Sequence, residues 1–221
     1  ICGWGLIQKE IRRYGAEFIP VDSEHFSIWS VIKNYDKSEI EKIILTASGG
    51  PFLNRNIKRN VNLKDAINHP NWKMGKKISV DSATLMNKIF EIIEAKKIFD
   101  IDLKKFDILI HPKSYIHAIV KLKNGLIKII AHDTDMQIPI SNSLYLGSKN
   151  KNFLKSKKID LNILNSLNFQ KVNLKKFPVI KILKKITKNN SLFDTVLVSA
   201  NDELVSLFFK KKIKFLEISS K

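Results

Sequence analysis

The strongest constraint on the fold is a change of hydrophobic rhythm along the chain. Lys42–Thr46 is a short apolar run of strand type, and Ala47-Ser48-Gly49-Gly50-Pro51 stops it at once. Further on, Leu85, Met86, Ile89, Phe90, Ile93 and Ile98 recur at helical spacing, which predicts a helix over 81–99 with Asp81 or Ser82 near its N-cap. Strand character returns at 108–110, before His111-Pro112. It returns again on both sides of Asn124-Gly125, where 118–123 and 126–130 read as a β-hairpin. Strands interleaved with helices predict an α/β fold, and the hairpin makes the sheet mixed, with an exposed or partner-covered edge.

The remaining segments fit this frame. Residues 16–21 read as a strand running into the polar Asp22-Ser23-Glu24-His25, and a helix begins about Phe26–Ile32. Residues 52–76 show no sustained period, and a long irregular stretch in a compact domain is commonly functional. The Lys- and Ser-rich residues 148–158 read as linker. Residues 179–186 and 192–209 are helical in period, giving a mainly helical tail. The expected organisation is an α/β domain over 1–147, a linker over 148–176, and a helical part over 177–221; a family resemblance carried by motifs within them makes the first the metal- and substrate-binding catalytic domain and the last an incomplete C-terminal domain.

No apolar run reaches the roughly 18–20 residues that span a bilayer, and the start of the chain does not resemble a signal peptide, so no membrane partner is expected. The single cysteine, Cys2, leaves the fold to rest on its core. A reducing, cytoplasmic setting fits that composition. The formal net charge is +18, which admits a nucleic-acid or other polyanion binder. However, the lysines run from end to end among many Asn and Ile residues, all with AT-rich codons, and no nucleic-acid-binding module is recognisable. The charge is therefore read as genomic bias, with long-range steering of an anionic substrate as a side effect, and no nucleic-acid partner is expected.

Several residues have chemical potential. Asp22 and Glu24, two apart at a strand end, point to one side and repel unless a cation lies between them. Hard divalent ions take such oxygen sites; the alternative is a solvated polar turn. Asn87 and Glu91 (i, i+4) and Lys88 and Glu91 (i, i+3) share one rim of the expected helix. The start of that helix, with Ser82, suits a phosphate, although a routine surface ion pair has the same spacing. Ser48-Gly49-Gly50 permits close backbone approach to a ligand but matches neither a P-loop nor a dinucleotide fingerprint. His69, Trp72 and Met74 lie in the irregular segment, where a tryptophan can close over a ligand or simply pack. His117 follows a strand and reads as a core or supporting histidine.

Taken together, Pro20–His25, Thr46–Phe52, His69–Lys88 with Glu91, and Ile110–His117 resemble the 1-deoxy-D-xylulose-5-phosphate reductoisomerase family of non-mevalonate isoprenoid biosynthesis, in order and in spacing. Phe177-Pro178 and Ser199–Glu203 resemble its helical C-terminal part. The resemblance implies a homodimeric oxidoreductase that rearranges 1-deoxy-D-xylulose 5-phosphate and reduces the product with NADPH to 2-C-methyl-D-erythritol 4-phosphate. The metal would be Mn²⁺ or Mg²⁺, with Co²⁺ as a further option. By that resemblance Asp22, Glu24 and Glu91 hold the metal, and Glu24, Glu91 and His69 are the catalytic residues. Ser23, Glu24, Ser48, His69, Trp72, Ser82, Asn87, Lys88 and Glu91 bind the phosphorylated sugar. Met74 and Gly75 meet NADPH, and Trp72 and Met74 belong to a lid. The family's NADPH-binding domain and a substrate-contacting lysine lie before the matched region, so the expectation is that these 221 residues alone do not turn over substrate. A non-catalytic remnant and a basic polyanion-binding protein are the alternative readings.

Overall fold

The computed structural model describes residues 2–57, 60–145, 154, 158–186 and 192–220. The helices are α1 (Trp4–Tyr14), α2 (Ser23–Ile32), α3 (Leu63–Ile67), α4 (Lys76–Thr84), α5 (Met86–Phe99), α6 (Gln137–Leu144), α7 (Leu161–Asn165), α8 (Phe193–Phe209) and α9 (Phe215–Ile218). The strands are β1 (Ile40–Ala47), β2 (Phe106–Ile110), β3 (Ile116–Leu122), β4 (Ile127–Ala131) and β5 (Gln170–Lys171). None of the described helices is long and apolar enough to cross a membrane.

The strands form one mixed sheet in the order β4-β3-β1-β2-β5. β1 and β2 run parallel, with Leu45 opposite Ile108, while β3 pairs antiparallel with β1 and places Ala118 opposite Leu45. The expected hairpin is present: Val120 faces Lys128, and Gly125 turns at φ 90°. A positive φ there is what glycine admits without steric cost.

The main core joins Ile28 and Val31 of α2, Ile43 and Leu45 of β1, Ile89, Ile92 and Ile93 of α5, and Val120 and Leu122 of β3. Each fully buried aliphatic side chain contributes roughly 1.5–3 kcal/mol. The tail reaches this core as well. Phe177 and Val179, at the start of a 3-10 helix over Pro178–Lys185, pack into it, and β5 pairs with β2. Of the expected linker at 148–158, all but residues 154 and 158 lie outside the described residues.

Three local expectations are corrected. Residues 16–21 form no strand; they lead into α2, which starts at Ser23 rather than near Phe26. The reason is Asp22: its Oδ1 accepts the backbone N–H groups of Glu24 and His25, both at 3.2 Å, and so caps the helix. The expected single helix over 81–99 is two. α4 begins after Gly75, and Leu85, at φ 66°, separates it from α5. A left-handed leucine costs on the order of 1–3 kcal/mol. Here Leu85 is buried in the core, and Thr84 bridges the break by donating to the Asp81 carbonyl and accepting from the Met86 N–H. Consequently Ser82 lies in the last turn of α4, not at a helix start. The helix start that faces the site belongs to α5, with Asn87 and Lys88 in its first turn.

Candidate metal and substrate site

The site lies beyond the carboxyl ends of the parallel pair β1 and β2, where ligands commonly bind in open α/β sheets. A cavity of about 280 Å³ opens there. It is lined by Asp22, Ser23 and Glu24 from the start of α2, Ser48 after β1, and His69, Trp72 and Met74 from the irregular segment. Ser82 from α4 and Asn87, Lys88 and Glu91 from α5 complete that set. Every residue that the resemblance gives to the site lines this cavity except Gly75, which caps α4 next to Met74; Gly49 and Gly50, also singled out, do not line it.

Asp22 and Glu24 converge for a different reason than the one their spacing suggested. They are the N-cap and second residue of a helix, not alternate residues of a strand. Glu91 joins them from α5, and one ligand atom from each of the three lies within 4.8 Å of the others. The Lys88 ammonium sits between two of them, 2.6 Å from Glu24 Oε1 and 2.7 Å from Glu91 Oε2. Asn87 donates to Glu91 Oε1, and Ser23 donates to Glu24 Oε2. Lys88 and Glu91 are thus core groups rather than the exposed rim of a helix; their side chains are 6% and 4% exposed.

The charge balance favours a cation. Burial works to raise Glu24, but Lys88, His117 and the hydrogen bonds from Lys88 and Ser23 outweigh it and hold the carboxyl at about 2. Burial and the Glu24 charge push Glu91 well above the usual carboxylate range, against the pull of Lys88. One ammonium cannot neutralise both acids. Asp22 is raised by burial and by Glu24; with 46% of its side chain open, the repulsion from Glu24 is the firmer cause. Glu91 Oε2 is buried and meets the Lys88 ammonium at 2.7 Å. An all-oxygen donor set of three carboxylates facing one ammonium fits Mg²⁺ or Mn²⁺.

The opposite wall is built around His69. Its Nδ1 accepts the backbone N–H groups of Asn71 (3.2 Å) and Trp72 (2.9 Å), so the ring proton sits on Nε2 and points at Ser48 Oγ, 2.9 Å away. Burial and the Lys88 charge lower His69 to about 4, which keeps it neutral. Ser48 Oγ also accepts the Gly50 N–H at 3.0 Å, leaving its own proton to donate into the cavity. Gly50 must be glycine: at φ +64° a Cβ would lie 2.9 Å from Ala83 Cα and 3.0 Å from the Ser82 carbonyl. That close approach packs the Gly49-Gly50 turn against the end of α4, and Ser48 and Ser82 both line the cavity.

Sequence reasoning did not assign Ser114, Ile116 or Met136 to the site, and it gave His117 only a supporting place. All four line the cavity. Ser114 lies at φ 53°, and its Oγ accepts from Asn71 Nδ2 at 2.7 Å, tying the irregular segment to the turn after β2. Its position inside the Ile110–His117 block was the available signal. His117 Nε2 donates to the His132 carbonyl at 3.0 Å, and its ring stacks on His132 with centroids 3.7 Å apart. Burial, opposed by the Glu24 charge, lowers it to about 4.

Two sequence models match the chain: the 1-deoxy-D-xylulose 5-phosphate reductoisomerase C-terminal domain over residues 18–99, and the DXP reductoisomerase C-terminal domain over residues 132–221. A protein named 1-deoxy-D-xylulose 5-phosphate reductoisomerase from Pelagibacter ubique is 59% identical across 100% of this chain and 57% of its own length. The same-named protein of Sulfurihydrogenibium is 41% identical over 99% of the chain and 57% of its own length. The chain thus spans little more than half of the curated relatives it matches. A crystal structure of DOX-P reductoisomerase in complex with NADPH, fosmidomycin and magnesium superposes on 99% of the chain and 56% of its own, with a TM-score of 0.89 and 34% identity. The Zymomonas mobilis reductoisomerase in complex with NADPH gives a TM-score of 0.87, also at 34% identity, over 98% of this chain and 56% of its own. With the fold, the matched segments and the cavity in agreement, the chain belongs to the 1-deoxy-D-xylulose 5-phosphate reductoisomerase family.

Proposed function

We propose that this chain is the metal- and substrate-binding part of an enzyme that converts 1-deoxy-D-xylulose 5-phosphate to 2-C-methyl-D-erythritol 4-phosphate. The observation that carries the reading is the convergence of Asp22, Glu24 and Glu91 within 4.8 Å, beside a wall of hydrogen-bond donors. Its support is the family's solved structures, which hold magnesium, NADPH and fosmidomycin.

Asp22, Glu24 and Glu91 would hold the divalent ion, Mg²⁺ with Mn²⁺ or Co²⁺ as substitutes. Bound there, it supplies Lewis acidity at the rearranging carbonyl, and NADPH supplies the hydride that reduces the resulting aldehyde. The chain's own residues do the rest. Glu24, with Ser23 donating to it, accepts hydrogen bonds from substrate hydroxyls beside the reacting carbons. Ser48, Ser82, Asn87 and the start of α5 donate to the phosphate, and Lys88 adds a positive charge. Neutral His69 holds Ser48 with its proton facing the cavity. Binding energy at the phosphate end, remote from the reacting carbons, helps to hold the sugar in reactive geometry. Trp72 and Met74 close over the sugar and exclude water from the aldehyde, and Met74 and Gly75 meet the nicotinamide cofactor.

The protein is proposed to act as a homodimer paired through the β4 edge, where Ile127 and Ile129 stand 58% and 49% exposed. Sedimentation of Ile129→Lys as monomer beside a dimeric parent tests that pairing.

The activity test joins this chain to the N-terminal portion of the Pelagibacter ubique relative and follows NADPH oxidation with 1-deoxy-D-xylulose 5-phosphate and Mg²⁺. The joined protein should turn over and the chain alone should not. A folded chimera without activity, or a chain active by itself, contradicts the proposal.

A further inference from the structure

The tail of the chain is bound to the phosphate wall of the cavity by a buried polar link that the reaction does not itself require. Asn201, in the middle of α8, donates from Nδ2 to Asp81 Oδ1 at 2.8 Å. Only the amide nitrogen can face a carboxylate, so this contact fixes the orientation of the amide. The other oxygen of Asp81 takes Lys77 Nζ, also at 2.8 Å, and Lys77 reaches Asp202 of α8 at 2.9 Å. Asp81 and Asn201 are both almost fully buried. Asn201 Oδ1 has no hydrogen-bond partner among the described residues, so the amide is held through its nitrogen, and moving it off Asp81 would leave that donor unpaired as well in a poorly solvating interior.

The position of Asp81 gives the link its meaning. It precedes Ser82 directly. Its carbonyl accepts from Thr84, whose oxygen accepts the Met86 N–H, so the same residue is tied to the first turn of α5. A separate apolar cluster fastens the same region. Val80 and Ala83 of α4 and Phe52 from the Gly49-Gly50 loop pack with Val205 and Phe208 of α8 and Phe215 of α9. The carboxylate trio depends on this anchor less directly: Asp22 and Glu24 are set by α2, and only Glu91, about one and a half turns into α5 and held by Asn87 and Lys88, rides on the anchored helix. One wall of the cavity is therefore anchored chiefly through α8 and the other chiefly through α2.

We propose that Asn201 is a positioning residue for anion binding: through Asp81 it fixes the end of α4 and thereby places Ser82 and the start of α5 around a phosphate. The inference rests on the assignment of that wall to the phosphate in the proposed function. The test compares the parent chain with Asn201→Ala, titrating inorganic phosphate and, separately, Mn²⁺, with binding followed by calorimetry and folding by melting. Misplaced binding groups lose affinity steeply with displacement, so phosphate affinity should fall about tenfold. Mn²⁺ affinity should fall clearly less, because two of the three carboxylates are set by α2 and not by the anchored end of α4. Equal phosphate affinity in a folded Asn201→Ala, or equal losses for both ligands, overturns the inference and leaves the proposed function standing. A parent chain that binds no phosphate overturns both. If Asn201→Ala does not melt cooperatively, Asp81→Asn combined with Asn201→Asp carries the test. The exchanged pair keeps donor and acceptor and should restore phosphate affinity, and a folded double variant that does not restore it refutes the role.

Discussion

Lys88→Met removes the ammonium that lies between two buried carboxylates while keeping most of the side-chain volume. Lys88 lies 2.6 Å from Glu24 and 2.7 Å from Glu91, and the side chains of Lys88, Glu24 and Glu91 are 6%, 14% and 4% exposed. Solvent screening is therefore weak at all three. Breaking a buried ion pair from one side typically costs about 3–5 kcal/mol, because the remaining charge is left uncompensated. Here the loss should sit toward the upper end, since two acids lose their partner and Glu91 is already pushed up by burial and by Glu24. Urea unfolding at neutral pH is the assay, with the midpoint lowered and the slope unchanged. Mn²⁺ should recover much of the loss: a ligand at 100 times its dissociation constant stabilises by about 2.7 kcal/mol. It should stabilise the variant more than the parent, where Lys88 competes for the same oxygens. A loss below about 1 kcal/mol, the range of exposed ion pairs, would show that the carboxylates are not held as buried charges. Equal stabilisation of parent and variant by Mn²⁺ would show that Lys88 and the metal do not share a site.

Two further outcomes follow from the same geometry. Glu24, held at about 2, contributes stability that is present above its usual 4.5 and lost as pH falls through about 2. Glu91, raised, has the opposite sign: its contribution is present below 4.5 and is lost as pH rises through its folded value. Melting against pH should show Glu24→Gln less stable than the parent at pH 7, by about 3 kcal/mol, and Glu91→Gln at least as stable as the parent there. The reverse order contradicts the assignment of charge. Gly50→Ala should cost about 2 kcal/mol or more by melting, from φ +64° and a Cβ 2.9 Å from Ala83 Cα. Gly5→Ala in α1, with no atom within 4 Å of the added carbon, should be neutral or slightly stabilising.

Much of the sheet was legible because its signals are local. The breaker run after Thr46 ends β1, and Asn124-Gly125 turns β3 into β4. The break at Leu85 was not legible. A leucine in the left-handed region is unfavourable by itself and is sustained by Thr84, by core burial and by Gly50 pressing on Ser82 and Ala83, none adjacent in pattern. Asp22 illustrates the opposite error. An aspartate before Ser-Glu is an ordinary helix N-cap signal, yet the apolar residues 16–21 drew the reading toward a strand. The members of the site were legible as residues, because the family's motifs contain them, but not as an arrangement. That Lys88 bridges the two acids depends on α2 and α5 packing against each other, and no spacing in the sequence encodes that contact.

Calorimetric titration of the chain with Mn²⁺, beside Asp22→Asn, Glu24→Gln and Glu91→Gln, measures the convergence of the three acids most directly. The geometry predicts one Mn²⁺ per chain and a loss of affinity of about tenfold or more in each variant, in line with the removal of one charged ligand. Uptake by the three variants equal to that of the parent would place the cation elsewhere.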